Sequence, residues 1–242
     1  MSTVVTAASG DPHDYAPTSG DIALFTKAKL VVVNGMGYDE WATKAVQANN
    51  SGVDVVNAAT VNNVASGANP HLWYAPEYVT ATANAVTAEL KAQVPEASSY
   101  FDQQQADFQT AMEPYFAEIS TIKAGATGKT YGATESVFDY MAQAVALTDL
   151  TPQGYQNAIT NESDPAPGDI NAFDKDLTSK KMNVLIFNTQ TDGSIPDNLV
   201  ATAKSSGVPV VDVTETMPAD ATSFQEWQIA QLQSLSQALG LS

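Results

Sequence analysis

Short aliphatic and β-branched runs alternate with longer stretches of helical spacing along almost the whole chain. The alternation falls into two blocks around one long helical segment. Leu30–Val33 is an unbroken aliphatic run, and Val53–Asn57, Thr130–Thr134, Val184–Asn188 and Val208–Val213 are further strand candidates, with Thr3–Ala7 a shorter one. Continuous apolar character suits strands whose sheet is covered on both faces, the usual state of parallel sheets. Between these runs Asp21–Ala28, Tyr38–Ala48, Pro76–Val94, Val137–Leu147, Asp169–Lys181, Asp197–Ser205 and Phe224–Leu239 read as helices. Ala97–Lys123 reads as one helix, about 40 Å long at the usual rise per residue and so longer than a small lobe needs. Tyr100, Phe101, Phe108, Met112, Phe116 and Ile119 mark its apolar stripe, and Pro114 is expected to kink it. The expectation is an α/β protein of two lobes, each a parallel sheet flanked by helices. Residues 1–96 form the first lobe, 97–123 the linking helix and 124–242 the second lobe. Ligands of open parallel sheets bind beyond the carboxyl ends of the strands, which places a site in the cleft.

Charge narrows the partners. The 242 residues include 27 acidic against 10 basic side chains, all ten of them lysine, for a net charge of −17. Such a surface is repelled by phosphate backbones, which argues against nucleic acid. Without arginine the usual bidentate clamp for carboxylates and phosphates is missing. A cationic ligand fits this balance, although negative charge also serves solubility alone. The lack of cysteine excludes thiolate metal sites and thiol redox chemistry. No apolar run is long enough to span a bilayer. The first fifteen residues lack the charged and apolar regions of a signal peptide, so an exported protein would carry its targeting segment outside this sequence.

The two histidines stand in matching frames, Asp11-Pro12-His13-Asp14-Tyr15-Ala16-Pro17 and Asn69-Pro70-His71-Leu72-Trp73-Tyr74-Ala75-Pro76. Proline on both sides stiffens each loop. A lone histidine is more often a surface or satisfied core residue. Two in one unusual frame point to a shared task, most commonly a metal. Carboxylates must complete such a shell. Glu135 sits where a strand ends and a helix begins, and Glu215 lies just past Val208–Val213. Asp192, beyond another strand end, and Asp212, within the last strand, compete for the same role. Any of these acids alone is as readily a helix cap or a solvated charge. Gly125–Lys129 (GATGK, before Thr130) is a faint echo of a phosphate loop with the wrong glycine spacing, and neither HExxH nor GxSxG occurs.

The segment DPHDYAPTSGDIALFTKAKLVVVNGMGYDEW resembles the signature of the zinc/manganese solute-binding proteins of bacterial ABC importers, the cluster A-I metal-binding lipoprotein group. NPHLWYAP is similar to that family's second histidine motif and TESVFDYMAQAVAL to its third ligand segment. VPVVDVTETMP with FQEWQIAQLQSLSQAL resembles its fourth ligand strand and closing helix. The resemblance covers nearly the whole chain in order. It implies two α/β lobes joined by a backbone helix, with one metal ion held by His13 and His71 from the first lobe and Glu135 and Glu215 from the second. The fourth position is usually aspartate, and Ala16 replaces a common glutamate. Members of that family carry a strand-helix unit ahead of the segment that matches Val4–Ala8, and the expectation is a first lobe, residues 1–96, that lacks this unit.

In function, the resemblance implies a receptor without enzymatic activity, a monomer outside the cytoplasm at the cell surface or in the periplasm, handing its ion to an ABC permease. Two imidazoles and two carboxylates form a donor set of intermediate hardness. Glu135 in a place often held by histidine favours Mn2+, whereas the general affinity order favours Zn2+ in vitro. Manganese is preferred on balance. Two alternatives remain open: a metallohydrolase in which Glu215 or Asp212 acts as a general base, and a surface adhesin that uses metal structurally.

Overall fold

The computed structural model describes residues 2–5, 15–49, 52–161 and 163–241. These residues divide into two compact units, one up to Glu113 and the other from Pro114 on.

In the first unit β1 (Leu30–Val33) and β2 (Asp54–Asn57) pair in parallel, Leu30 opposite Asp54 and Val33 opposite Asn57. Helix α1 (Ser19–Phe25) opens on a capping box: the Thr18 hydroxyl accepts the Asp21 N–H while the Asp21 carboxylate accepts the Thr18 N–H at 2.7 Å. Helix α2 is Glu40–Asn49. Phe25, Val31, Val33, Ala42, Ala45 and Val46 form one buried cluster from these three elements, with Trp41 packed against it. Val32 and Val55 stay exposed on opposite sides of the small sheet, so its faces are only partly covered. Asn57 caps the short α3 (Ala58–Val61), and Pro76 opens α4 (Pro76–Gln93) at a position where a missing N–H costs nothing.

Helix α5 (Ser98–Gly125) is unbroken through Pro114, and the division between the units falls at that proline. Its buried stripe is Met112, Tyr115, Ile119 and Ile122, at spacings of three and four. Tyr100, expected in the stripe, is 61% exposed. The first half of α5 is tied to α4 by Gln105–Asn84 and Lys91–Asp102 hydrogen bonds on the surface.

The second unit holds a four-stranded parallel sheet in the order β4-β3-β5-β6, from β3 (Thr130–Ala133), β4 (Thr148–Asp149), β5 (Val184–Asn188) and β6 (Val210–Val213). Helices α6 (Asp139–Ala144), α7 (Gln153–Thr160), α8 (Pro167–Thr178), α9 (Ser194–Ser206) and α10 (Phe224–Ala238) accompany it. Central β5 buries Val184, Leu185 and Ile186 almost completely, as its unbroken apolar run requires. Tyr155, Phe173, Leu177, Leu185, Leu199 and Val208 knit α7, α8, α9 and the sheet into one core. Each such side chain contributes about 1.5–3 kcal/mol by leaving water.

Several expectations are corrected. Thr3–Val5 are not strand, and the remainder of Thr3–Ala7 lies outside the described residues. The helix expected over Val137–Leu147 is a 3-10 turn, Ser136–Phe138, followed by α6, which stops before Ala146 enters the left-handed region at φ 59°. Helix α7, with a glycine in its first turn, is an addition to the expected helices. It forms because Tyr155 packs edge-on against Phe173 at 5.0 Å, and because Gly154 leaves room for the Asp169 carboxylate, which a Cβ there would meet at 2.2 Å. Gly125–Lys129 is a turn from a helix into a strand, the reverse of a phosphate loop's order. Among the described residues, no helix is long and apolar enough to cross a membrane.

Candidate metal centre

In the first unit His71 is almost fully buried, at 2% exposure, just before a 3-10 turn at Leu72–Tyr74. Asn69 Oδ1 accepts the backbone N–H of His71 at 2.9 Å and lies 2.7 Å from the ring Nδ1. An atom that accepts a backbone N–H is an oxygen, so Nδ1 carries a proton, and in the neutral ring Nε2 is the nitrogen able to act as a ligand. Trp73 flanks the imidazole edge-on at 5.4 Å and Tyr38 at 6.1 Å. The loop is anchored from β1: the Asn34 side chain donates to the Pro70 carbonyl at 2.8 Å. Asn34 in turn sits on a turn closed by Asp39, whose carboxylate accepts the N–H groups of Asn34 (2.6 Å) and Gly35 (2.8 Å). Burial pushes the Asp39 carboxyl up while those two N–H groups pull it down. Gly35, at φ 83°, lies where a side chain is strained, and a Cβ there would meet the Asn57 amide at 2.6 Å and displace it.

In the second unit Glu135 and Glu215 follow the carboxyl ends of β3 and β6, on either side of β5. One oxygen of each lies within 4.8 Å of the other. The last residue of β5, Asn188, stands between them: its amide nitrogen donates to Glu135 Oε2 at 2.6 Å and to Glu215 Oε1 at 2.8 Å. The Thr191 hydroxyl also donates to Glu135 Oε2, at 2.5 Å. Gln190 accepts the backbone N–H groups of Glu215 and Thr216, fixing the loop after β6. Glu215 is 4% exposed, a burial that a carboxylate sustains only with such donors or a cation. Tyr155, whose hydroxyl donates to the Thr134 carbonyl at 3.2 Å, has its phenol held above the usual range by burial and by the charge of Glu135.

Of the acids singled out from sequence, the structure brings Glu135 and Glu215 together, while Asp192 and Asp212 are exposed. His13 lies outside the described residues. Sequence reasoning passed over Asn69, Asn188, Gln190 and Thr191. The run Asn188-Thr189-Gln190-Thr191, four polar residues straight after the apolar run Val184–Phe187, was the available signal.

The chain belongs to the ZnuA family, described as zinc-uptake complex component A, periplasmic, whose model matches residues 2–238. It is 20% identical over 212 residues to the high-affinity zinc uptake system protein ZnuA of Bacillus subtilis, covering 80% of this chain and 65% of that protein. To the manganese ABC transporter substrate-binding lipoprotein PsaA of Streptococcus pneumoniae serotype 4 it is 24% identical over 199 residues, covering 75% of this chain and 63% of that protein. The chain thus spans a little under two thirds of the length of these curated relatives. It shares its fold with the crystallised Mn-bound periplasmic metal binding protein, a mutant form, from candidatus liberibacter asiaticus, at a TM-score of 0.78 and 14% identity over 95% of this chain and 87% of that one.

Proposed function

We propose that this protein captures one divalent transition-metal ion outside the cytoplasm and hands it to the membrane permease of an ABC importer, without catalysing a reaction. The observation that carries this reading is the pair of adjoining carboxylates, Glu135 and Glu215, one of them buried, held at the carboxyl ends of parallel strands in a chain of the ZnuA family. Relatives named for zinc uptake and for manganese ABC transport support the cargo and the permease partner. His71 in this reading adds a nitrogen donor through Nε2, and His13 supplies the second imidazole. In this reading residues 1–96 and 124–242 are the two ligand-bearing lobes and 97–123 the helix between them. Two nitrogens and two carboxylates suit Mn2+ or Zn2+, and the oxygen share favours manganese.

Metal-stripped protein titrated with each ion tests this. Binding should be one ion per chain, and saturation at about a thousand times Kd should stabilise the fold by roughly 4 kcal/mol. Glu135→Ala should weaken binding by about a hundredfold or more, beyond what loss of a mere supporting group costs. Unchanged calorimetric affinity in that variant would remove Glu135 from the site.

A further inference from the structure

Glu135 Oε2 accepts two hydrogen bonds, from the Asn188 amide at 2.6 Å and from the Thr191 hydroxyl at 2.5 Å. A carboxylate oxygen has two lone-pair sites in the carboxylate plane, so both are filled. The Asn188 amide cannot be turned over. Its Oδ1 accepts the Gln190 N–H at 3.1 Å, and a flipped amide would set a nitrogen against that donor and an oxygen against two carboxylates. Asn188 itself is 1% exposed, so no bulk water replaces its bonds.

We propose that Asn188 and Thr191 determine metal specificity by confining Glu135 to ligation through a single oxygen. The proposal rests on the capture reading above and deepens it. An ion that approaches Glu135 through both oxygens must first displace one of two charge-assisted hydrogen bonds. Manganese takes an expanded, oxygen-rich shell, which a two-oxygen carboxylate helps to fill, whereas zinc is satisfied by four donors. The clamp therefore penalises manganese and leaves zinc untouched, opposing the bias that the donor set alone would give. Neither residue touches the ion in this scheme. Both act through the carboxylate.

Competitive titration of metal-stripped full chain with Mn2+ and Zn2+ tests it, comparing the parent protein with Thr191→Val, Thr191→Ala and Thr191→Ser. Supporting groups around metal ligands are typically worth 10–100-fold in affinity, so Thr191→Val and Thr191→Ala should raise the Mn:Zn affinity ratio by about tenfold. Thr191→Ser, which keeps the donor, should stay within about twofold of the parent. Manganese-edge X-ray absorption should show one more oxygen neighbour in Thr191→Val than in the parent. A ratio that does not move in a folded Thr191→Val or Thr191→Ala protein overturns the specificity role, whether both affinities hold or fall together. Failure of the parent protein to bind either ion would instead overturn the capture reading.

Discussion

The surroundings of His71 and those of the carboxylate pair are assembled over different distances. Asn69 orients the ring from two residues away and Trp73 flanks it from the same loop, while the Asn34 bond to Pro70, 36 residues off, and the Tyr38 ring reach in from farther along the chain. Asn188, by contrast, meets Glu135 and Glu215 across 53 and 27 residues, and those bonds exist only because β3, β5 and β6 lie side by side. The first arrangement belongs to a stiff peptide loop and survives modest loosening of its unit. The second is a property of sheet order and is lost with it.

The largest effect should come from Asn188→Leu, which removes the donor shared by two neighbouring carboxylates. A hydrogen bond to a charged group is worth about 1.5–3 kcal/mol, and two are lost, so the metal-free melting temperature should fall by several degrees. Bound metal should recover much of that loss by supplying the missing positive partner, which melts with and without added ion will reveal. Equal deficits in both melts would show that Asn188 serves packing alone. Asn69→Leu should be milder: a loss of about tenfold in metal affinity with little change in stability, because it frees the ring tautomer without unsettling a sheet. Nitrogen-15 shifts of His71 should then report a mixture of tautomers, and an unmixed spectrum would deny Asn69 that role. If Asn69→Leu destabilises the protein as much as Asn188→Leu, the contrast between local and long-range construction is wrong. The smallest effect is the control. Gly207 ends α9 at φ 73°, its N–H meeting the Lys204 carbonyl and the next N–H the Ala203 carbonyl. Gly207→Ala should cost about 1 kcal/mol of stability and leave metal affinity unchanged.

Much of the fold was legible because it is locally written. Val184–Asn188 matched its strand residue for residue, and Leu30–Val33 did the same, since unbroken apolar runs have few other uses. Boundaries moved where tertiary contacts outweighed propensity. α7 exists through Tyr155 and Phe173, and the two-residue β4 through its pairing with β3. The stripe on α5 shifted towards Tyr115 and Ile122 because burial, which sequence does not display, decides which apolar residues of a helix face inward.

Residue chemistry by itself determined that this protein would carry His71 on a proline-flanked loop, acids at strand ends and alternating strands and helices. Those are matters of bonding geometry and of periodicity along a chain. Tertiary structure alone decided which acids adjoin, taking Glu135 and Glu215 and leaving Asp192 and Asp212 in solvent. It also placed Asn188 between the chosen pair, where a single amide with two protons bridges two carboxyl groups, one of them buried. The physical reason is that a hydrogen bond depends on where atoms lie in space, and across 53 residues only the packed sheet fixes that position.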